Sequence, residues 1–363
     1  GSCANPYGGT DMTYNVTISP SGRQFKVDIG TTVLEAALDQ GIVLPYGCKD
    51  GACGACKSLV TDGSVEQGKH LPSALSSEEM TQGYALLCTA TPTSDLTIEA
   101  AVVDGASDIP VRKLPCRVRS IEALAPDVRC IRLQLPFSER LEYLAGQYVD
   151  LIFPDGVRRS YSMATAPGTM EDVELHIRHL PGGHFTDRVF GVGSRPPLKE
   201  REIFRLEGPF GTFFLREDSD KAVVLLASGT GFAPIKAIVE RITALQATGS
   251  FRRPVRLYWG GRRPADLYHD ALCRQWEKDL ADFQYVPVLS DAKPEDGWTG
   301  RTGFVHLAVM ADLPDMSGHE VYACGVPVMV ESARRDFVAQ CGLDGADFYA
   351  DAFTSEADRQ AAA

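Results

Sequence analysis

The sequence predicts a multidomain α+β and α/β chain: a small mixed sheet, then an antiparallel β-barrel, then a parallel α/β domain. Three observations carry this. At 363 residues the chain exceeds what one ordinary core serves, so two or three domains are expected. Five short alternating segments crowd its middle, a spacing that suggests an antiparallel barrel. In the last third, apolar strand-like runs alternate with helical stretches, which implies parallel strands with helices on both faces.

Taken in order, "GSCANPYGGTD" (1–11) reads as an expression scar with Met12 as the native start, so Cys3 stays outside the argument. "VTISPSGRQFKVDI" alternates like a hairpin, and "TTVLEAALDQG" reads as a helix. There Thr32 and Glu35 have capping-box spacing, and Gly41 makes a C-terminal stop. "SLVTDGSVEQG" and "DLTIEA" supply further short strands, which gives a small mixed sheet over 12–100.

Between these lies "YGCKDGACGAC" (46–56), where Cys48, Cys53 and Cys56 are separated by four residues and then two. No secretion signal precedes it, and a cytoplasmic chain keeps thiols reduced, so the ten cysteines are not expected as disulfides. A zinc half-site is one reading, but zinc sites usually come as paired C-x₂-C units. C-x₄-C-x₂-C with a distant fourth cysteine is the plant-type [2Fe–2S] spacing, and Cys88 in "GYALLCTA" is that fourth thiol. Glycines in the loop let backbone N–H groups approach the cluster sulfurs.

Composition narrows the function. The hydrophobic share of 44% and charged share of 23% are those of an ordinary globular protein. A net charge of −12 with no basic run argues against a nucleic-acid binder. No stretch approaches the roughly 18 apolar residues of a membrane span. The Asn15-Val16-Thr17 sequon has no secretory context, and a cytoplasmic location is expected.

"AVVDGASDIPVRKL" reads as a linker, placed at 101–113. The barrel segments follow over 114–217: "CRVRSIEAL", "VRCIRLQL", "AGQYVDLIF", "RRSYSMAT" and "VELHIRHL". "RRSYSMA" brings a cation, a ring and hydroxyls together in Arg159, Ser160, Tyr161 and Ser162. In "RHLPGGHFTDRV", Gly182 and Gly183 precede Thr186 at what reads as a helix start, where exposed N–H groups suit a phosphate. Taken singly, Tyr161 also reads as a core ring and the glycine pair as an ordinary turn. His176, His179 and His184 invite a metal, a minor reading beside the phosphate-suited turn they flank.

The last part, 218–363, opens with "KAVVLLASGTGFAPIKAIVERI": a buried strand, the turn Gly229-Thr230-Gly231, and a helix with Pro234 in its first turn. This is not the G-x-G-x-x-G fingerprint, because Pro234 stands at the third glycine position. Downstream, "CGVP" (Cys324, Gly325, Pro327) ends a strand and precedes a helix, where ligands bind such sheets. Cys324 also has a bland reading as a small buried thiol. Cys116, Cys130, Cys273 and Cys341 read as bystanders, and Arg334-Arg335 as a solvated helix face.

The cysteine loop with its small sheet resembles the plant-type ferredoxin fold, a β-grasp-like domain. "AGQYV", "RRSYSMA", "LPGGHFT" and "LEGPFGTFFL" resemble the FAD-binding barrel of the ferredoxin–NADP⁺ reductase superfamily, and G-T-G-x-A-P its nucleotide lobe. In that order, over residues 13 to about 355, the chain is similar to the reductase components of bacterial multicomponent oxygenases, Rieske-type or diiron. The benzoate and terephthalate dioxygenase reductases are examples. One departure is visible: "LKEREIFRLEG" lacks the glycine on which relatives turn between barrel strands.

The resemblance implies an NAD(P)H-dependent iron–sulfur flavoprotein that hands electrons through FAD and the cluster to a terminal oxygenase, in aromatic catabolism. It implies that Arg159 pairs with FAD phosphate, Tyr161 packs on the flavin and Ser162 lies near its reactive nitrogen. Ser160, His176 and Arg178 join the cofactor contacts, while Gly182, Gly183 and Thr186 hold the pyrophosphate. Gly229, Thr230, Gly231, Pro234, Gly325 and Pro327 line the nucleotide, and Cys324 lies beside the nicotinamide. Phe353 in "FYADAF" covers the flavin face, or else is a core ring of the last strand. NADH is expected over NADPH: Arg262 and Arg263 favour a 2′-phosphate, but Asp266 repels one. A deoxysugar-pathway reductase shares the layout, a lone flavin reductase would not need the four cysteines, and a bare electron carrier would not need the nucleotide lobes. A monomer is expected.

Overall fold

The computed structural model describes residues 12–355; the expectations for 1–11 and for the last eight residues lie outside it. The chain divides into two compact units: the described residues of one are 12–108 with Thr354 and Ser355, and the other spans Ile109–Phe353.

The first unit is built on a five-stranded sheet ordered Gln24–Asp28, Thr13–Ser19, Leu96–Glu99, Lys57–Asp62, Tyr84–Leu86. The first two strands pair antiparallel as the expected hairpin, while Thr13–Ser19 and Leu96–Glu99 run parallel. The helix Val33–Asp39 buries Val33, Leu34, Ala36 and Ala37. The Thr32 side chain accepts from the Glu35 N–H at 3.2 Å, satisfying one of the helix's unpaired amide donors. The chain then passes without regular structure through 41–56, the segment carrying three of the four cysteines.

In the second unit six antiparallel strands run in the order Arg158–Ser162, Tyr148–Ile152, Ile203–Phe210, Arg112–Ala125, Val128–Gln134, Val173–Arg178. A bridge between Met163 and Leu175 links the two edge strands and closes the sheet into a barrel. Alternation fills it. Leu114, Cys116 and Val118 point in with Leu206 and Leu175, each buried, while Lys113, Pro115 and Arg117 between them stay exposed. Burying each such aliphatic side chain contributes about 1.5–3 kcal/mol before entropy is charged. In the stretch "LKEREIFRLEG", which lacks a turn glycine, the turn into Ile203–Phe210 uses Arg201 at φ 72°, a left-handed conformation that non-glycine residues seldom adopt.

The rest of this unit is a parallel sheet ordered Arg301–Thr302, Phe283–Leu289, Val255–Gly261, Ala222–Ser228, His319–Gly325, Phe348–Ala352. Its central strand is apolar on both faces because both are covered. Val223, Leu225 and Ala227 pack with Phe232 and Trp259, while Val224 and Leu226 pack with Val309 and Phe337 on the opposite side. Among the described residues no helix is long and apolar enough to cross a membrane.

Candidate active site

The cysteine loop aims backbone donors at sulfur. The Ala52 and Cys53 N–H groups both donate to Cys48 Sγ at 3.3 Å. Cys48 N–H donates to Cys53 Sγ at 3.3 Å, Ala55 N–H to the same sulfur at 3.4 Å, and Cys88 N–H to Cys56 Sγ at 3.4 Å. All four are free thiols, Cys56 and Cys88 buried and the other two half-buried. The side chain of Cys53, with burial, pushes the Cys48 thiol up, and Cys88 with burial does the same to Cys56. Thiols this close resist deprotonation until a cation compensates. An iron cluster supplies that cation, and amide donors to sulfur are how proteins tune one, so the residues fit the group.

In the barrel, the strand Arg158–Ser162 pairs with Tyr148–Ile152, placing Ser162 opposite Tyr148 and Arg159 opposite Leu151. Tyr161 is half-buried against the barrel core, its ring centroid 6.0 Å from that of Phe185. Ser160 is tied inward, its hydroxyl donating to Asp150 Oδ1 at 2.6 Å. The segment 180–186 is closed by Thr186, whose hydroxyl accepts from Leu180 N–H at 3.1 Å and donates to Leu180 O at 2.9 Å. A Cβ on Gly183 would sit 2.5 Å from that hydroxyl, so this loop admits only glycine there. The helix that starts at Thr186, Thr186–Phe190, is five residues long. A closed glycine loop, a half-buried ring and a neighbouring guanidinium fit a flavin nucleotide.

His176 and Arg178 sit differently. The His176 ring is fully buried, with Nε2 2.9 Å from Glu174 Oε1 and Nδ1 2.9 Å from the Tyr268 hydroxyl. Both ring nitrogens are thus engaged inside the protein, leaving none for a flavin phosphate. Arg178 Nε donates to Asp127 at 3.2 Å, and its Nη1 lies 3.0 Å from where a Cβ on Gly229 would be. Its guanidinium therefore lies against the glycine turn of the parallel sheet. His179 and His184 pair with Asp187 and Asp155.

The turn Gly229–Gly231 is a short 3₁₀ stretch leading into the helix Phe232–Ala247, with Pro234 buried in its first turn. Trp259 Nε1 donates to Gly229 O at 3.1 Å, and its ring stacks on Phe232 at 3.9 Å. A Cβ on Gly231 would lie 2.2 Å from the Cys324 carbonyl, so the turn touches the end of the neighbouring strand backbone to backbone. The Ser228 hydroxyl accepts from Val326 N–H at 3.1 Å and ties the same two ends together. Pro327 starts the helix Pro327–Cys341. A glycine turn at the carboxyl ends of parallel strands fits a dinucleotide.

Cys324 is fully buried; burial first, and then the nearby Asp351 carboxylate, push its thiol well up. The last strand brings Asp351 into register with Cys324, and Ser162 Oγ donates to Asp351 Oδ2 at 3.3 Å. Phe353 is half-buried on the nucleotide-lobe core, its N–H donating to Gly325 O at 2.7 Å. Ser162, Cys324 and Asp351 thus converge from three strands. The sequence reading missed Asp351; its one local signal was a carboxylate two positions before the aromatic singled out.

In the loop after Val255–Gly261, the Asp266 carboxylate accepts from the Arg262 and Arg263 N–H groups at 2.8 and 3.1 Å. It shapes the loop as well as charging it. Arg263 is committed to Asp296 through two contacts at 2.8 and 2.6 Å, whereas the Arg262 side chain is 68% exposed. Cys116, Cys130, Cys273 and Cys341 are buried free thiols.

Comparison with known proteins matches this order. The 2Fe-2S iron-sulfur cluster binding domain matches residues 16–93, the oxidoreductase FAD-binding domain 115–215, and the oxidoreductase NAD-binding domain 225–335. The CDP-6-deoxy-L-threo-D-glycero-4-hexulose-3-dehydrase reductase of Yersinia pestis is 40% identical over 342 residues, covering 94% of this chain and 99% of its own. Reductase component 1 of the terephthalate 1,2-dioxygenase of a Comamonas species is 34% identical, covering 95% and 98%. The crystal structure of an Amycolatopsis cytochrome P450 reductase superposes with a TM-score of 0.72 at 34% identity, covering 94% and 99%. The chain therefore belongs to the iron–sulfur flavoprotein reductases, in which a [2Fe–2S] ferredoxin domain is fused to an FAD- and NAD-binding module of the ferredoxin–NADP⁺ reductase type.

Proposed function

We propose that this protein oxidises NADH and delivers the electrons one at a time to a terminal oxygenase, of the aromatic-ring Rieske type, acting as a cytoplasmic monomer. The observation that carries the reading is the meeting of Ser162, Asp351 and Cys324 at the junction of the barrel and the nucleotide lobe. When bound, FAD accepts a hydride and an iron–sulfur cluster carries single electrons, so together they match a two-electron donor to a one-electron acceptor.

The protein's own part is binding, orientation and proton control. Cys48, Cys53, Cys56 and Cys88 are assigned to the cluster. Arg159, Tyr161, Gly182 and Gly183 are assigned to FAD, and Gly229, Thr230, Gly231, Gly325 and Arg178 to the dinucleotide. Ser162 holds its proton toward the Asp351 carboxylate, and burial keeps the Cys324 thiol protonated. Residues 12–100, 114–217 and 218–363 are assigned as the three domains, with 101–113 as linker.

The test is anaerobic titration of the reconstituted protein with NADH, followed by cytochrome c reduction and by coupling to a Rieske oxygenase. Failure of both NADH and NADPH to bleach the flavin sinks the reading. A second reading has its own support in the 40% identity to the Yersinia pestis reductase. Coupling to a pyridoxamine-dependent sugar dehydrase, with none to an oxygenase, would select it.

A further inference from the structure

The outward-facing residues of the barrel strand Val173–Arg178 alternate as Glu174, His176 and Arg178, between the inward core residues Leu175 and Ile177. Each reaches the nucleotide lobe. Glu174 Oε1 lies 3.5 Å from Lys236 Nζ, His176 bonds the Tyr268 hydroxyl, and Arg178 lies against Gly229. Glu174 and His176 are 3% and 4% exposed and Lys236 7%, so these three are as buried as a core, while Arg178 is half-buried. Buried charge carries a cost unless it is paired, so a stripe of this kind needs an explanation.

One explanation is a metal, because donor atoms of Cys130, Glu174 and His176 lie within 4.8 Å of one another. Charge argues against it. Glu174 and Glu240 face two cations already, with Lys236 Nζ 2.7 Å from Glu240 Oε1 and Arg132 Nε 3.5 Å from Glu174 Oε2. The site is balanced without an ion.

The other explanation is positional. Lys236 lies in the helix five residues after Gly231, and its ammonium donates to the Ala164 carbonyl at 3.1 Å, two residues after Ser162. Glu240, one turn further along the helix, accepts from Ala166 N–H at 2.9 Å. The ammonium and carboxylate thus clamp the segment that continues the Ser162 strand, and do so from the helix that continues the glycine turn. We propose that Lys236, with Glu240 and Glu174, is a positioning residue that fixes the Gly229–Gly231 turn against the Ser162 strand, setting where the nicotinamide lies relative to the flavin. This rests on the proposed function of that junction. Hydride transfer falls steeply with small displacements, so a loosened clamp slows the step while leaving both binding sites assembled.

The test uses the full-length protein loaded with FAD and cluster. In Lys236→Met, FAD content and reduction by dithionite stay as in the wild type, while the limiting rate of flavin reduction at saturating NADH falls at least about fivefold. A smaller loss overturns the proposal. Hydrogen–deuterium exchange gives a readout independent of turnover: peptides covering 164–166 and 228–232 exchange at least about fivefold faster in the variant. Unchanged protection overturns the proposal whatever the rate does. Lys236→Met removes the cation that Glu174 and Glu240 share, and should it not fold, Glu240→Gln replaces it under the same two criteria. If the wild type itself transfers no hydride, the proposed function falls, and the exchange measurement alone decides the clamp.

Discussion

Asp351 and Ser162 stand 189 positions apart in sequence and share a hydrogen bond. The acceptor is a carboxylate, and at 3.3 Å the contact is longer than an ordinary O–H···O bond. Asp351→Asn keeps the shape and removes the charge. Stopped-flow flavin reduction by NADH is expected to slow by about tenfold, about 1.4 kcal/mol of transition-state stabilisation, with little change in melting temperature. An unchanged rate would show that the pair is structural only. Such a partner is invisible to local reading, whereas Cys48, Cys53 and Cys56 are legible because their spacing lies within one loop. His176 shows the opposite error: its neighbourhood in sequence is that of cofactor contacts, but strand alternation turns its ring outward onto Glu174 and Tyr268.

A second residue-scale expectation concerns acid. Burial, and then the neighbouring His176 and Lys236, lower His269 from 6.5 to about 4. The unfolded chain therefore binds a proton that the folded chain refuses between those two values. Stability from this residue is fully present above pH 6.5 and is lost as pH falls toward 4, by up to about 3 kcal/mol. Glu174 follows at lower pH. Burial alone would raise its carboxyl, but the His176 hydrogen bond and the Lys236 charge hold it at about 2, so its contribution fades below pH 4.5. Chemical denaturation at pH 7 and pH 5 measures the first effect, and His269→Asn should flatten the difference. An equally steep dependence in that variant would reject the assignment.

At the scale of elements, the strand–turn–helix order was readable from periodicity and glycine placement, and the parallel sheet follows from it. Loop chemistry was less readable, because a charged side chain's partner decides its role. Arg262 and Arg263 read alike in sequence, but Arg263 is held bidentately by Asp296, from a segment 33 residues later. A 2′-phosphate must compete with that carboxylate, while the ribose hydroxyl of NADH need not. We expect kcat/KM to favour NADH, and Asp296→Asn to narrow the gap by about tenfold through releasing the guanidinium. A wild-type preference for NADPH would overturn the assignment, and Arg262→Ala would then show whether the exposed guanidinium makes the difference.

At the scale of the whole molecule, the chain is two compact units, and the second holds separate cores in its barrel and on the two faces of its parallel sheet. The four cysteines lie in the first, and the residues matched by the FAD-binding and NAD-binding domains lie in the second. The packing of neither unit depends on the chemistry of the other, so loss of the cluster should leave hydride transfer standing. Cys56→Ser removes a buried sulfur that accepts the Cys88 N–H, and replaces a thiolate ligand with a hydroxyl that stays protonated near neutral pH. The variant should lose the cluster's visible absorbance and cytochrome c reduction. NADH-dependent ferricyanide reduction should persist within about twofold, because that acceptor can take electrons from flavin directly. Loss of flavin reduction together with the cluster would mean that the two units are energetically coupled, and that the electron path cannot be divided between them.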